Sequence, residues 1–337
     1  MDKLKKAITI KVIIVSVLAI AVLLFILTVV MAVCGYKVGE SIVEQHVNNM
    51  RANSTVINSQ LYAVRYRSIL DKHMLTKGYV PLERVVFYLQ RKHNILDTST
   101  LSYEEWENAY LANVNVQEKQ MIPIKTICKN INSDPTFPTF TIVNGTNSDG
   151  IAIDVIDLCT VDGIDITTSD DYEEIYYPLL YSFPLKDKFT ITSIVFEHRD
   201  VDLDLSDKEQ QRVNFHSGWD FAVPIGTNFY SICDGTIKSI VNTQVNDLPY
   251  NSSGNSTGNY IEVTCNNGFV AQYYHIKYMS TPFGLRQGSS VKKGDLLGKT
   301  STTGLSTGGH LHLGLKDPDG NLLDAMAYID LNNYDGN

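Results

Sequence analysis

Residues able to bind a metal ion lie between positions 216 and 312. Four of the chain's eight histidines are in this interval, and one of them, His216, stands four residues before Asp220. His310 and His312 stand two residues apart. Side chains alternate between the faces of a strand, so each pair shares a face if its segment is extended. Zinc in a hydrolase takes three nitrogen or oxygen ligands and keeps one position for water. Together with His275, the set contains four histidines and one aspartate. Two histidines and the aspartate can supply the three ligands, which leaves two histidines for other roles.

Each of these motifs alone is a weak signal, because histidine pairs at such spacings occur often by chance. The default interpretation of any one of them is a surface or core histidine. The neighbouring glycines favour a site instead. Gly218 and Gly226 flank the first motif, and Gly308 and Gly309 lead directly into the second.

Short strands are the elements that must hold these residues. From Lys188 onward, β-branched and aromatic segments alternate with glycine turns, and no long helical pattern intervenes. Residues 188–332 are therefore predicted to form an all-β domain. The Asn-, Ser-, Thr- and Gly-rich interval 242–259 predicts a flexible loop between two strands. The predicted strands are Phe189–Phe196, Phe221–Pro224, Thr236–Val241, Tyr260–Thr264, Phe269–Tyr274 and His310–Leu313.

Taken in order, these motifs resemble those of a known enzyme family. Residues 190–330, about 40% of the chain, are similar to the M23 (lysostaphin- and LytM-like) zinc endopeptidases, which cut peptide cross-links in bacterial peptidoglycan. The resemblance implies an antiparallel β-sheet peptidase domain. The matching runs are His216–Ala222, Gly226-Thr227, Asp234-Gly235, Gly258–Tyr260, Gly268, Tyr274-His275, Val291–Asp295, Gly298, Thr303-Gly304 and Gly308–Leu313.

The resemblance also implies a role for each polar residue. His216, Asp220 and His312 would bind Zn²⁺, and His310 and His275 would be the second catalytic pair. We assign His310 as general base and His275 as the group that stabilises the oxyanion, with an exchange of these two roles left open. All five positions are occupied, which argues against a degenerate, non-catalytic relative.

A few positions depart from the family pattern or match none of its ligands. Cys265 stands where a polar residue usually ends its strand, and the insertion 242–259 lengthens a loop beside the expected cleft. Both features bear on substrate preference. His198 matches no ligand and is interpreted as part of the cleft rim or surface. Gly308 and Gly309 either border the substrate channel or form a tight turn.

An uncharged apolar run near the N-terminus predicts a membrane span. Val12–Val33 contains no charged residue, and a helix rising about 1.5 Å per residue crosses the hydrocarbon core at this length. We therefore predict a transmembrane helix over residues 12–34, since the apolar stretch of a cleaved signal peptide is shorter. The sequence before Cys34 resembles a lipoprotein cleavage site only loosely, so a thiol at the membrane edge is the favoured interpretation.

The charges beside this span predict its orientation. Residues 1–11 contain four lysines against one aspartate, whereas Lys37, Glu40 and Glu44 follow the span. Positive residues stay in the cytoplasm. We therefore expect a cytoplasmic tail over residues 1–11 and a single-pass protein of the cell membrane, with the peptidase domain on the outer, cell-wall side.

Residues 35–115 are predicted to form a helical stalk or small bundle. Helical spacing of apolar residues continues to about Leu75, Pro81 can open a second helix, and Ser102 with Glu105 forms a capping box for a third helix that ends near Asn113. The histidines of this segment are interpreted as solvated rather than as ligands. They are His46, His73 and His93.

Residues 116–187 are predicted to form an acidic, β-containing region. The segments Phe140–Val143 and Ile151–Val155 are typical of strands, with turns at Asn144 and Asp149. The spacing of its acids does not fit an EF-hand calcium loop, so solvated loops are favoured. Residues 35–187 together could bind a protein partner. The acids concerned are Asp154, Asp157, Asp162 and Asp165.

Outside the membrane, the cysteines beyond Cys34 can oxidise. We predict the pairs Cys128–Cys159 and Cys233–Cys265, each within one region, from three possible connectivities. No pair of cysteines is separated by two residues, which argues against a zinc knuckle.

Composition and net charge narrow the classes of function that remain. The 337 residues are 44% hydrophobic and 19% charged, enough for two compact domains. A net charge of −9 argues against nucleic-acid binding, which needs a clustered basic surface. The leading hypothesis is an anchored enzyme acting on peptidoglycan. The alternatives are a non-catalytic scaffold that binds peptidoglycan or a partner hydrolase, and a receptor whose functional surface is residues 36–185.

Overall fold

Four α-helices form the first part of the structure, a computed structural model that describes residues 60–146, 152–161, 164–168, 179–199, 215–245 and 257–334. Every described residue lies in the compact unit Asn48–Asn337. The three helices predicted from the sequence are confirmed as α1 to α3, and α4 was not predicted. The bounds are α1 Gln60–Lys77, α2 Leu82–His93, α3 Tyr103–Ala112 and α4 Ile124–Ser133.

The start of each predicted helix follows from its sequence. Pro81 occupies the N-cap position of α2, where its fixed φ and missing N–H suit the first turn. At α3 the predicted capping box is present: the Ser102 hydroxyl accepts from the Glu105 N–H at 3.2 Å, and the Glu105 carboxylate accepts from the Ser102 N–H at 2.7 Å. These contacts satisfy N–H groups that the first helical turn leaves without a partner.

One prediction about this region is wrong. His73, expected to be solvated, is 7% exposed. Its Nε2 contacts the Glu107 carboxylate, and its ring stacks on Tyr110. Helices α1 and α3 pack together, which covers an imidazole that the sequence of α1 alone places among surface-type residues. His93, at the end of α2, stays partly exposed.

Short two-stranded ladders and a disulfide follow the helices. The predicted disulfide Cys128–Cys159 is confirmed, with a Cα–Cα distance of 5.7 Å, and it ties α4 to the ladder region. The segment Phe140–Val143 is not a strand, so that prediction is wrong. The bounds are β1 Val114–Asn115, β2 Gln120–Met121, β3 Gly145–Thr146, β4 Ala152–Ile153, β5 Thr160–Val161 and β6 Ile164–Asp165.

The C-terminal half is the predicted all-β domain. Its main sheet is antiparallel throughout, in the order β13-β10-β11-β12-β15-β8-β7, with β16 paired to β15. Strands β9 and β14 form a separate antiparallel pair. The bounds are β7 Thr190–Ser193, β8 Trp219–Ala222, β9 Asn228–Tyr230, β10 Gly235–Val241, β11 Tyr260–Cys265, β12 Val270–Tyr274, β13 Ser290–Val291, β14 Leu296–Lys299, β15 His310–Lys316 and β16 Leu322–Leu323.

Two features stabilise this sheet. In β11 half-buried and buried side chains alternate along the strand, as expected where one face covers a core. The predicted disulfide Cys233–Cys265 is confirmed, with a Cα–Cα distance of 5.7 Å. It joins the end of β11 to the residues before β10.

The helices pack directly against the sheet. Tyr79, between α1 and α2, meets Trp219 of β8 edge to face at 5.6 Å. Asp324 accepts hydrogen bonds from both, from the Tyr79 hydroxyl and from Trp219 Nε1. Asp71 of α1 accepts from the Ile191 N–H of β7 at 2.9 Å. The helices of the predicted stalk are therefore in contact with the all-β domain.

Among the described residues, none of the helices combines the length and apolarity needed to cross a bilayer. The predicted span over residues 12–34 lies outside the described residues, as do Cys34 and His46. The same is true of residues 246–256, most of the predicted loop 242–259.

Candidate metal centre

Two neighbouring strands bring the predicted ligands together. In the antiparallel pairing of β8 and β15, His312 lies directly opposite Asp220, and His310 lies opposite Ala222. Facing residues in such a pair have Cβ atoms about 5 Å apart. His216 stands three residues before the start of β8 and reaches the same place from the adjoining chain segment.

The three predicted ligands converge on one point. His216 Nε2 lies 3.1 Å from Asp220 Oδ1 and 3.1 Å from His312 Nδ1. His312 Nδ1 lies 2.9 Å from Asp220 Oδ1. All three side chains are buried. Among the described residues, this is the only group of three or more potential ligands close enough to hold one ion.

The chemistry of these donors fits zinc. His216 Nδ1 donates to the Ile194 carbonyl at 2.8 Å, so its Nε2 carries a lone pair that faces Asp220 and His312. Two imidazole nitrogens and one carboxylate oxygen are the ligands of a hydrolytic zinc ion with an open position. A bound cation would also relieve the burial of a carboxylate between two imidazoles.

Electrostatics keep the ligands in the protonation states that a metal needs. Burial lowers the pKa of His312 to about 4. Burial alone would raise the pKa of Asp220, but electrostatic interaction with the His216 and His310 rings and hydrogen bonds from His216 and His312 outweigh it and hold this pKa well below its usual range. The Asp220 carboxylate is therefore ionised and His312 is neutral at neutral pH, as metal binding requires.

His310 and His275, the predicted catalytic pair, lie beside the ligands. Their ring centroids are 4.6 Å apart, and His310 Nε2 is 3.6 Å from Asp220 Oδ1. His310 Nδ1 donates to the Gly308 carbonyl at 2.9 Å, and His275 Nδ1 donates to the Thr303 carbonyl at 2.7 Å. Both rings thus have Nε2 available as a proton acceptor.

His275 is the more constrained of the two. Burial, reinforced by electrostatic interaction with the neighbouring His310 and His312 rings, lowers the pKa of His275 well below its usual range. Its backbone has φ of +61°, a left-handed conformation that is uncommon for a residue with a Cβ and often occurs at functional sites.

The glycines of the two motifs differ in what surrounds them. A Cβ on Gly218 would lie 2.5 Å from the Leu313 carbonyl oxygen and 2.6 Å from His312 Nε2. A Cβ on Gly309 would lie 2.7 Å from the Val223 carbonyl oxygen, whereas one on Gly308 meets nothing within 4 Å. Close strand packing therefore requires glycine at 218 and 309, while Gly308 faces open space.

Two residues near the centre were given no role in the sequence analysis. The ring of Tyr274 lies parallel to that of His312, with 5.0 Å between centroids. Arg199 Nη1 lies 3.4 Å from Asp220 Oδ2. His198, interpreted as rim or surface, forms an isolated bridge with Phe215. Tyr274 belongs to the matching run Tyr274-His275, and its pairing with His312 across β12 and β15 places it beside the ligands, whereas no local pattern marks Arg199.

Comparison with known proteins identifies the segment of the chain that contains these residues. The sequence model of the family described as "Peptidase family M23" matches residues 214–325. An uncharacterized metalloprotease of Buchnera aphidicola is 32% identical over 135 residues, 40% of this chain and 30% of the relative. The peptidoglycan DD-endopeptidase ShyB of Vibrio cholerae is 37% identical over 101 residues, 30% of this chain and 20% of the relative.

A crystal structure of a zinc-containing peptidase from Vibrio cholerae is 28% identical, with a TM-score of 0.34, and the match covers 44% of this chain and 39% of that one. The chain spans less than a third of the length of the curated relatives described above. All five predicted site residues lie inside the matched interval. Residues 214–325 of this chain are a peptidase family M23 domain.

Proposed function

We propose that this protein is a membrane-anchored, extracellular zinc endopeptidase that hydrolyses peptide cross-links or stem peptides of bacterial peptidoglycan. The convergence of His216 Nε2, Asp220 Oδ1 and His312 Nδ1 on one buried point is the observation on which this proposal depends. The substrate class is supported by relatives named peptidoglycan DD-endopeptidases.

In this proposal His216, Asp220 and His312 hold Zn²⁺. The ion, when bound, lowers the pKa of a bound water towards about 7 and polarises the scissile carbonyl. The low pKa values of Asp220 and His312 keep both ligands unprotonated at working pH.

His310 and His275 divide the proton transfer and charge stabilisation. We assign His310 as general base at Nε2, because its Nδ1 proton is donated to the Gly308 carbonyl. To stabilise the developing oxyanion, His275 needs a proton at Nε2, because its Nδ1 proton is donated to the Thr303 carbonyl. The low pKa of His275 leaves Nε2 unprotonated, which suits a base instead, so the two roles can be exchanged.

The anchor and the oxidised cysteines support an exterior location. The lysine-rich start and the uncharged run before Cys34 are typical of a single-pass span whose N-terminus is cytoplasmic. Structural disulfides persist in oxidising compartments, and two are present here. Such a tether would restrict cutting to one membrane location, which suits local wall remodelling around a secretion or conjugation apparatus.

A digest of purified peptidoglycan by the full chain in detergent tests the activity. Mass spectrometry of released fragments, with zinc and with a chelator, identifies the bond that is cut. We expect new peptide termini that require both zinc and His310. If a folded, zinc-loaded protein leaves peptidoglycan intact but sediments with it, the scaffold alternative replaces the enzyme.

Alkaline carbonate extraction of membranes tests the anchor. The full chain should stay in the pellet, and protease added to intact protoplasts should digest its exterior part. Recovery of the full chain in the soluble fraction would overturn the anchoring proposal.

A further inference from the structure

The metal centre has a buried ion pair beside it that no step above uses. Glu197 is 1% exposed, and both of its carboxylate oxygens contact Arg67 Nη1, at 2.7 and 2.8 Å. The same carboxylate accepts from the Ser193 hydroxyl at 2.7 Å and from the Ile194 N–H at 3.1 Å. Arg67 belongs to helix α1, which lies outside the interval that matches family M23.

Glu197 closes a turn that holds a proposed zinc ligand. Three hydrogen bonds join this turn to His216: the Phe196 N–H donates to the His216 carbonyl at 2.8 Å, the His216 N–H donates to the Glu197 carbonyl at 2.9 Å, and His216 Nδ1 donates to the Ile194 carbonyl at 2.8 Å. The last of these fixes the tautomer in which Nε2 faces the centre. Groups that orient a ligating imidazole in this way are part of metal affinity.

The turn needs an external restraint. Phe196 has φ of +66°, a left-handed conformation that is costly for a bulky residue and persists where its surroundings enforce it. The Glu197 carboxylate provides such a restraint, because it binds both Ser193 and the Ile194 N–H at the start of the turn. A carboxylate this deeply buried is itself costly unless a cation compensates it, and Arg67 is that cation.

Helix α1 holds Arg67 next to Glu197. Asp71, four residues further along, lies on the same helix face and accepts from the Ile191 N–H at 2.9 Å. The helix therefore contacts β7 and the turn that follows it at two successive polar positions.

We infer that Arg67 and Glu197 are positioning residues of the metal centre, through which helix α1 fixes the orientation of His216. The inference deepens the proposed function and rests on His216 being a zinc ligand. It predicts that the helical region contributes to zinc affinity itself, besides its contribution to folding.

The test compares two arginines of the same helix in the full chain. Arg65→Ala is the matched control, because Arg65 contacts the Leu101 carbonyl and Trp106 inside the helical region. Zinc affinity is measured by competition with a chromophoric chelator, and the visible spectrum of the Co²⁺-substituted protein reports ligand geometry. We expect Arg67→Ala to weaken zinc binding by about 10-fold or more and to alter the Co²⁺ spectrum. Arg65→Ala should leave both unchanged, even where it lowers the melting temperature.

Two further variants keep the inference falsifiable. Arg67→Lys keeps the positive charge on a shorter side chain, and should weaken zinc binding less than Arg67→Ala. Equal zinc affinity in Arg67→Ala and wild type, or equal weakening in Arg65→Ala, would overturn the inference. His216→Ala separates the two proposals: if it binds zinc normally, the proposed site is wrong, whereas its loss of zinc with no change in either Arg67 variant overturns only the positioning role.

Discussion

His312 Nδ1 lies 2.9 Å from Asp220 Oδ1 because the two residues face each other across strands β15 and β8. The register of this strand pair therefore determines the ligand geometry. A slip of one residue would move each side chain to the opposite face of the sheet. The strands flanking the pair, β12 and β7, restrict such a slip, so the metal centre depends on the whole sheet.

Ligand and base substitutions should separate metal binding from catalysis. We expect His312→Ala and Asp220→Asn to lose stoichiometric zinc, measured by atomic absorption after dialysis. His310→Ala should keep zinc but lower turnover about 100- to 10,000-fold. His198→Ala is the control and should retain both properties. Normal cleavage by His310→Ala would exclude this residue as the base and direct the same test to His275.

A single methyl group at position 218 should disturb the centre. The added Cβ of Gly218→Ala would lie 2.5 Å from the Leu313 carbonyl oxygen and 2.6 Å from His312 Nε2, so β15 and its ligand must shift. We expect weaker zinc binding and a loss of about 1–3 kcal/mol in the free energy of unfolding. Gly308→Ala, whose Cβ meets nothing within 4 Å, should retain wild-type zinc affinity. Equal zinc affinities in the two variants would contradict the close packing at 218.

Acid should destabilise the metal-free protein well above the pH at which its carboxylates titrate. Burial lowers the pKa of His312 to about 4, while an unfolded histidine titrates near 6.5. Between these values the unfolded state binds more protons, so stability falls as pH falls. The loss approaches about 3 kcal/mol from His312 over this window, and the lowered pKa of His275 adds to it.

Urea unfolding in the presence of a chelator, at several pH values between 7 and 4, measures this dependence. His312→Asn removes the titrating group and should flatten the profile. A wild-type profile as flat as that of the variant would show that His312 is protonated normally in the folded state.

The sheet disulfide should contribute to stability by an amount that rises with the logarithm of the length of the loop that it closes. Cys233 and Cys265 are 32 residues apart, for which loop closure predicts about 3–4 kcal/mol. We expect the double variant Cys233→Ala/Cys265→Ala to lose free energy of unfolding by this order, measured by urea denaturation. Cys34→Ala, which removes no disulfide, should unfold as the wild type does. If the double variant is as stable as wild type, the disulfide does not stabilise the protein by restricting the conformational entropy of the unfolded chain.

The features that could be predicted from the sequence are those encoded by local patterns. The Ser102–Glu105 capping box, the strand that contains His310 and His312, and the cysteine pairs each depend on residue type and spacing, and each is confirmed. Four of the five site residues come together because two short motifs lie on or beside the paired strands β8 and β15. His275 joins them because it directly follows β12, which also pairs with β15.

What the sequence could not show depends on contacts across long intervals or on backbone atoms. Arg67 and Glu197 are 130 residues apart, and neither has a local pattern that marks it. The Ile194 carbonyl, which orients His216, has no residue-type signature at all. His73 is covered by α3, so its burial is set by tertiary packing that the periodicity of α1 does not reveal.

The contact between Asp71 and Ile191 also affects whether the edge of the sheet can pair with another chain. Strand β7 is the terminal strand of the main sheet, and its Ile191 N–H turns away from β8 to the carboxylate on α1. A terminal strand with unpaired N–H groups is a template on which another chain can add a strand. By occupying this donor, helix α1 blocks edge-to-edge pairing. We therefore expect a fragment that begins at residue 188 to self-associate through β7, although it contains every proposed zinc ligand.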